Sequence, residues 1–140
     1  MVKIIYKNNS EIVHGNDVYE KPELRLVRAC YTDDANEVRY LIDKFSDIDV
    51  NAIVISSPTK GNGTPLILTG KQEIAQLLLE KGADVNLVYD TGTAKITALD
   101  SAYKELEKNH SATIHQEIED LIAFLEQNHA KKFGDLGDSQ

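Results

Sequence analysis

One motif returns along the chain at a nearly constant interval. Its clearest copy runs Gly61-Asn62-Gly63-Thr64-Pro65-Leu66, then Glu73-Ile74-Ala75-Gln76-Leu77-Leu78-Leu79-Glu80, then Lys81-Gly82-Ala83-Asp84-Val85-Asn86. An earlier copy reads Asn36-Glu37-Val38-Arg39-Tyr40-Leu41-Ile42-Asp43 and closes on Ile48-Asp49-Val50-Asn51. A later one opens Thr97-Ala98-Leu99-Asp100 and closes on Glu117-Ile118-Glu119-Asp120-Leu121-Ile122. Asn51 and Asn86 are 35 positions apart, and Thr64 and Thr97 are 33 apart. A unit this short cannot bury an apolar face alone, whereas stacked copies build one continuous core.

Each copy has helical reasons of its own. Thr64 before Pro65 reads as an N-cap hydroxyl followed by proline at the first helical position, where a missing N–H costs nothing. Thr97 with Asp100 three positions later is a capping box with Asp in the acidic role. Ala35, Val38, Leu41, Ile42 and Phe45 fall on one helical stripe, as do Ile74, Leu77 and Leu78. The longest stripe is Ile114, Ile118, Leu121, Ile122 and Leu125. Gly82 stands where the outer helix of the middle copy should stop, so a positive φ is expected there.

Two non-helical stretches separate the helix pairs. Residues 51–63 hold Ala52-Ile53-Val54-Ile55, then Ser56-Ser57-Pro58, and residues 86–96 hold Leu87-Val88-Tyr89, then Asp90-Thr91-Gly92-Thr93. β-Branched residues followed by turn formers predict hairpin-like fingers. Residues 1–22 read as an N-terminal extension with a short strand or hairpin, from Val2 to Tyr6 and around Glu11-Ile12-Val13. The tail from Gly134 to Gln140 is expected to fray.

The motif resembles the ankyrin repeat, and the resemblance covers residues 23–133. Thr64-Pro65-Leu66 and Gly82-Ala83-Asp84-Val85-Asn86 carry it in the middle copy. Ala29-Cys30 with Asp33-Asp34 resembles an N-terminal capping repeat, and Asn128-His129-Ala130-Lys131 a C-terminal one. The resemblance implies a mainly α fold, an ankyrin-type solenoid of about three antiparallel helix pairs joined by hairpin-like loops. Three departures stand out. Ile67 and Asp100 occupy the position of the usual histidine, so its inter-repeat hydrogen bonds are lost. The middle inner helix is short, with Ile67 to Gln72 alone between Leu66 and Glu73. The third copy is long, with Asp100 to Gln116 between Leu99 and Glu117, and its inner helix is expected to run about two turns further, ending near Asn109-His110-Ser111.

Charge and composition bound the function. Fifteen Lys and Arg face 23 Asp and Glu, for a net charge of −8, which argues against nucleic-acid binding and suits a basic protein partner. No apolar run approaches the roughly 18 residues that span a membrane. Cys30 is the only cysteine, so no internal disulfide forms, in keeping with a cytoplasmic setting.

Few residues point to catalysis, and no cofactor is implied. His115 and Glu119 share a helix face at an i, i+4 spacing, the basis of an alternative reading as a small metal- or ligand-dependent enzyme. Two ligands are too few for a site, and no His-Glu-x-x-His or Cys-x-x-Cys motif is present. Cys30 falls at a small-residue packing position, which favours a core thiol over a nucleophile. Gly61-Asn62-Gly63 lacks the Lys-Ser/Thr of a phosphate loop and reads as a repeat turn.

What remains is a binding surface. The resemblance implies a non-enzymatic, monomeric protein–protein interaction module that uses its concave face and loop tips, in the manner of a bacterial immunity or inhibitor protein or a short effector. The residues it places there are Val54, Ile55, Ser57 and Lys60 in the first finger. Tyr89, Asp90, Thr91 and Lys95 follow in the second, with Tyr31 and Asp33 from the first repeat.

Overall fold

Every α-helix but the fourth begins on a residue that supplies a cap or a proline. The computed structural model describes residues 4–6, 11–14, 17–55 and 62–136. Pro22 opens α1 (Pro22–Tyr31), with Glu23 in the first turn and Arg28 in the last, both favourable to the helix dipole. Asp34 caps α2 (Ala35–Lys44) by accepting from the Glu37 N–H at 3.2 Å. Thr64 caps α3 (Pro65–Leu68) through the Ile67 N–H at 3.2 Å. After α4 (Gln72–Glu80), Thr97 and Asp100 form the expected capping box at the start of α5 (Ala98–Leu106). Ser111 caps α6 (Ala112–Gln127).

Two outer helices stop in the same way. Gly82 has φ +103°, and the Ala83 N–H reaches back to the Leu78 carbonyl at 2.9 Å. At the end of α6, His129 has φ +69° and the Ala130 N–H reaches the Leu125 carbonyl at 2.9 Å. This six-to-one bond satisfies a carbonyl that a helix end leaves orphaned. His129 thus stands in the place of Gly82.

The fold is mainly helical, and its helix pairs stack as in ankyrin repeats. Inner helices α1, α3 and α5 lie against one another in one row, and outer helices α2, α4 and α6 in a second. The stripes read from the sequence meet between the rows, except that Ile114, in the first turn of α6, is corrected to an exposed position at 44%. Leu26, Val38, Leu41, Ile74, Leu78, Leu121 and Leu125 are all buried in one continuous core. Neighbouring repeats are also stapled by polar side chains. Asn51 accepts from the Asp84 N–H at 2.7 Å and donates to the Gly82 carbonyl at 3.2 Å. One repeat later, Asn86 accepts from the Lys131 N–H at 2.7 Å and donates to the His129 carbonyl at 3.2 Å. The usual histidine is absent, and these asparagines join the repeats where the last turns meet.

Short strands complete the fold. Strands β1 (Ile4–Tyr6) and β4 (Ile53–Ile55) pair in parallel, with Ile5 opposite Val54. An N-terminal hairpin forms from β2 (Glu11–His14) and β3 (Asp17–Glu20). The second finger is the hairpin of β5 (Tyr89–Asp90) and β6 (Lys95–Ile96). In the first, Val54 bridges Gly63 by a reciprocal pair of backbone hydrogen bonds at 2.9 and 3.0 Å.

Two expectations are corrected. The third inner helix is not extended, because α5 ends at Leu106 after nine residues. The extra length passes into residues 107–111 and into α6, 16 residues long, because Ser111 offers a cap that restarts the helix. The chain also stays structured beyond Gly134: Phe133–Asp135 form a 3-10 turn, and the Phe133 N–H donates to Asp100 at 2.8 Å. Residues 137–140 lie outside the described residues.

Candidate partner-binding surface

The residues expected to bind a partner divide between two ends of the stack. The fingers enter the inner helices at their N-termini. The turns that join inner to outer helices lie at the opposite end, where Tyr31 and Asp33 sit at the close of α1.

At the finger end, Asp90, Thr91 and Lys95 are exposed on the β5–β6 hairpin. The turn is held locally: Asp90 accepts from the Gly92 N–H at 2.8 Å, and the Thr91 hydroxyl donates to the Ala94 carbonyl at 3.0 Å. Gly92 has φ +94°, a conformation that glycine adopts without strain. Tyr89 is half-buried and packs against the core, and burial followed by the Asp90 charge raises its phenol pKa. Val54 is a correction. It is 0% exposed and packs with Leu24, Val27 and Ala52, so it anchors the first finger and presents nothing to a partner. The physical reason is strand alternation, because Ile53 and Ile55 turn to the opposite face and stay half-buried. Ser57 and Lys60 lie outside the described residues.

At the other end the short middle helix shapes the surface. α3 has four residues where α1 has ten and α5 nine. Five residues fewer than α5 remove ~7 Å of helix. The chain turns away at Thr69, whose backbone is extended at φ −79° and ψ +145°. A cleft of about 690 Å³ opens there, with Ile67, Leu68, Ala102 and Ile118 among its lining residues and Tyr31 and Ile114 at its edge. Asp33 supports this turn: its Oδ1 accepts from the Thr69 hydroxyl and from the Gly70 N–H, both at 2.8 Å. Its φ of +56° suits Asp, whose short polar side chain tolerates the left-handed region. Asp33 is therefore a structural residue of the cleft wall. Tyr31, at 47% exposure, also lines the cleft.

Glu105 closes the far wall. Burial pushes its pKa up, but hydrogen bonds and charge from Lys108 and His110 outweigh that and hold the carboxyl below its ordinary range. The contacts are 2.6 Å from Lys108 Nζ and 3.1 Å from His110 Nε2. Lys71 faces Glu117 at 3.8 Å across the same end.

His115 and Glu119 approach to 3.4 Å, both well exposed to solvent. Among the described residues no group of three or more His, Cys, Asp or Glu side chains is placed to hold a metal ion. Cys30 is buried beside the core, where burial, with a lesser push from Asp33, raises its thiol pKa far above the ordinary value. A thiol held protonated in this way is a packing group.

The cleft itself was missed in the sequence. Its signal was the six-residue interval from Ile67 to Gln72, which announced a short helix and hence a gap between two longer ones.

Helix pairs stacked in two rows, with left-handed residues at Gly82 and His129 closing the second and third outer helices, define an ankyrin-type fold. The ankyrin repeat family model matches residues 63–90, from the finger glycine through α3 and α4 into β5. The chain thus carries an ankyrin repeat, a unit whose stacks build extended protein-binding surfaces. No curated protein matches the chain. Among the described residues no helix is long and apolar enough to cross a membrane.

Proposed function

We propose that the protein is a non-enzymatic interaction module whose binding domain spans residues 23–133. It grips a protein partner along the inner-helix row and the β5–β6 hairpin. The observation that carries this reading is the hairpin itself. Asp90 to Lys95 are exposed, while Tyr89 and Ile96 at its base pack against the core. A rigid support under an exposed tip lowers the entropy lost on binding. Asp90, Thr91 and Lys95 supply polar contacts, and Ile55 the flank. The net charge of −8 favours a basic partner through faster association. Covering a partner's working surface would make the module an inhibitor, of the immunity-protein or effector kind.

The test is affinity capture of the full chain from its native cell, followed by binding measurements with the partner found. Asp90→Ser combined with Lys95→Ser should weaken binding at least tenfold and leave the melting temperature unchanged. Equal affinity in the double variant would remove the hairpin from the interface. Absence of any stoichiometric protein partner would overturn the module reading.

A further inference from the structure

We infer that β1 is a removable strand lying on a strand-accepting edge of the first finger, and that an extended segment of the partner takes its place beside β4. This deepens the interaction-module reading and rests on it. The N-terminal arm then acts as an internal competitor, covering the edge until a partner strand displaces it.

Backbone geometry defines the edge. Val54 spends both its N–H and its C=O on Gly63, at 2.9 and 3.0 Å. Successive residues of a strand turn these groups to opposite sides, so those of Ile53 and Ile55 face β1. The register sets Ile5 opposite Val54, which puts the N–H and C=O of Ile5 between Ile53 and Ile55. β4 is thus a middle strand, with one edge closed by its own repeat and the other by the N-terminal arm.

The strands on that edge are not held alike. β4 is fixed from below, since Val54 is 0% exposed among Leu24, Val27 and Ala52. β1 makes its main contact with the repeats at β4, whereas β2 and β3 make theirs with each other. The ladder has three residue pairs and is parallel, the less stable arrangement per residue. Such short pairing belongs to the low-stability end of a structure and opens without disturbing the core. Once it opens, Ile53 and Ile55 present unpaired backbone groups on an anchored strand, which is what strand addition requires.

Position and charge name the occupant. β4 leads into the first finger, at the end of the stack where the β5–β6 hairpin also projects. β1 itself shows what fits. Ile4-Ile5-Tyr6 is a β-branched and aromatic run between Lys3 and Lys7, with no acidic residue from Met1 to Lys7. Basic flanks suit a chain of net charge −8. The partner's segment should therefore be extended, β-branched and flanked by basic residues, with an N–H at the position opposite Val54.

The full chain and its Ile5→Pro variant would be titrated by fluorescence anisotropy with a labelled peptide of residues 2–7, Val-Lys-Ile-Ile-Tyr-Lys. Proline at Ile5 removes the N–H that faces β4. Ile5→Pro should bind the peptide at least tenfold more tightly than the parent, in which β1 competes from within the same molecule. A peptide with proline in place of its second isoleucine should bind neither protein. Adding Ile55→Pro, which removes a donor from the β4 edge, should abolish binding, and circular dichroism would verify the helices of each variant. The partner captured by the full chain should likewise bind Ile5→Pro at least tenfold more tightly. No peptide binding to Ile5→Pro, equal binding to parent and variant, or binding that survives Ile55→Pro would overturn the removable strand. A captured partner that loses affinity in the Asp90→Ser and Lys95→Ser double variant but is indifferent to Ile5→Pro would also overturn it, yet would leave the interaction module standing.

Discussion

Removing the asparagine staples should loosen the stack without touching its core. Asn51 and Asn86 each make two hydrogen bonds across a repeat junction, one accepted at 2.7 Å and one donated at 3.2 Å. A net contribution of about 0.5–1.5 kcal/mol per bond applies. The junctions are exposed, so water replaces part of what is lost, and the lower half of that range is appropriate. Asn51→Ala and Asn86→Ala should therefore each cost about 1–2 kcal/mol, which lowers Tm by roughly 3–8 °C for a domain of this size. The staples share no partner, so the double variant should lose about 2–4 kcal/mol if the repeats unfold together. Urea titration followed by far-UV circular dichroism reads this directly, with the slope unchanged and the midpoint shifted. Single variants within about 0.3 kcal/mol of the parent would refute the staples. A second transition in the double variant would show that the repeats are not one cooperative unit.

Gly82→Ala should destabilise by about 1 kcal/mol in the same titration. No atom lies within 4 Å of the added Cβ, so the cost comes from φ +103° alone, and a neutral result would refute backbone strain there. Glu105 has a depressed folded pKa, so its ionised form stabilises the native state; that contribution is complete above the unfolded pKa and lost as pH falls through the folded one. Stability of the parent should thus fall more steeply than that of Glu105→Gln as pH drops below about 4.5, and parallel pH profiles would count against the Lys108 and His110 contacts. Cys30 should alkylate with iodoacetamide only as fast as the chain unfolds, and rapid labelling of the native protein at pH 8 would contradict its burial.

Much of the fold was legible because its determinants are local. Thr64, Thr97 and Asp100 announce helix starts through hydrogen bonds that close within three residues, and Gly82 announces a stop through its own backbone freedom. The stripes Val38–Leu41 and Ile74–Leu78 lie at helical spacing, so the buried faces followed from periodicity alone. The site was less legible. Val54 sits in a β-branched run before turn formers and reads as a finger tip, yet which face of a short strand is buried depends on what packs under it. Here that is Leu24 and Val27 of α1. Asp33 reads as a surface acid in a turn, and only the approach of Thr69 and Gly70, more than 30 positions away, makes it a structural acceptor.

The chain's own pattern determined that it would form repeated helix pairs, where most of the helices begin and which faces they bury, because caps, periodicity and turn chemistry act within a few residues. The tertiary structure decided how spare length is shared out. Between Leu99 and Glu117 it goes to a loop and a longer outer helix, since Ser111 can restart a helix and the outer row has core to cover. Between Leu66 and Glu73 the shortage becomes a cleft, since α1 and α5 stand on either side of α3 and run on past its end. A local pattern sets an element, but a cavity belongs to the neighbours that surround it. The contacts that define those neighbours join residues far apart in the chain.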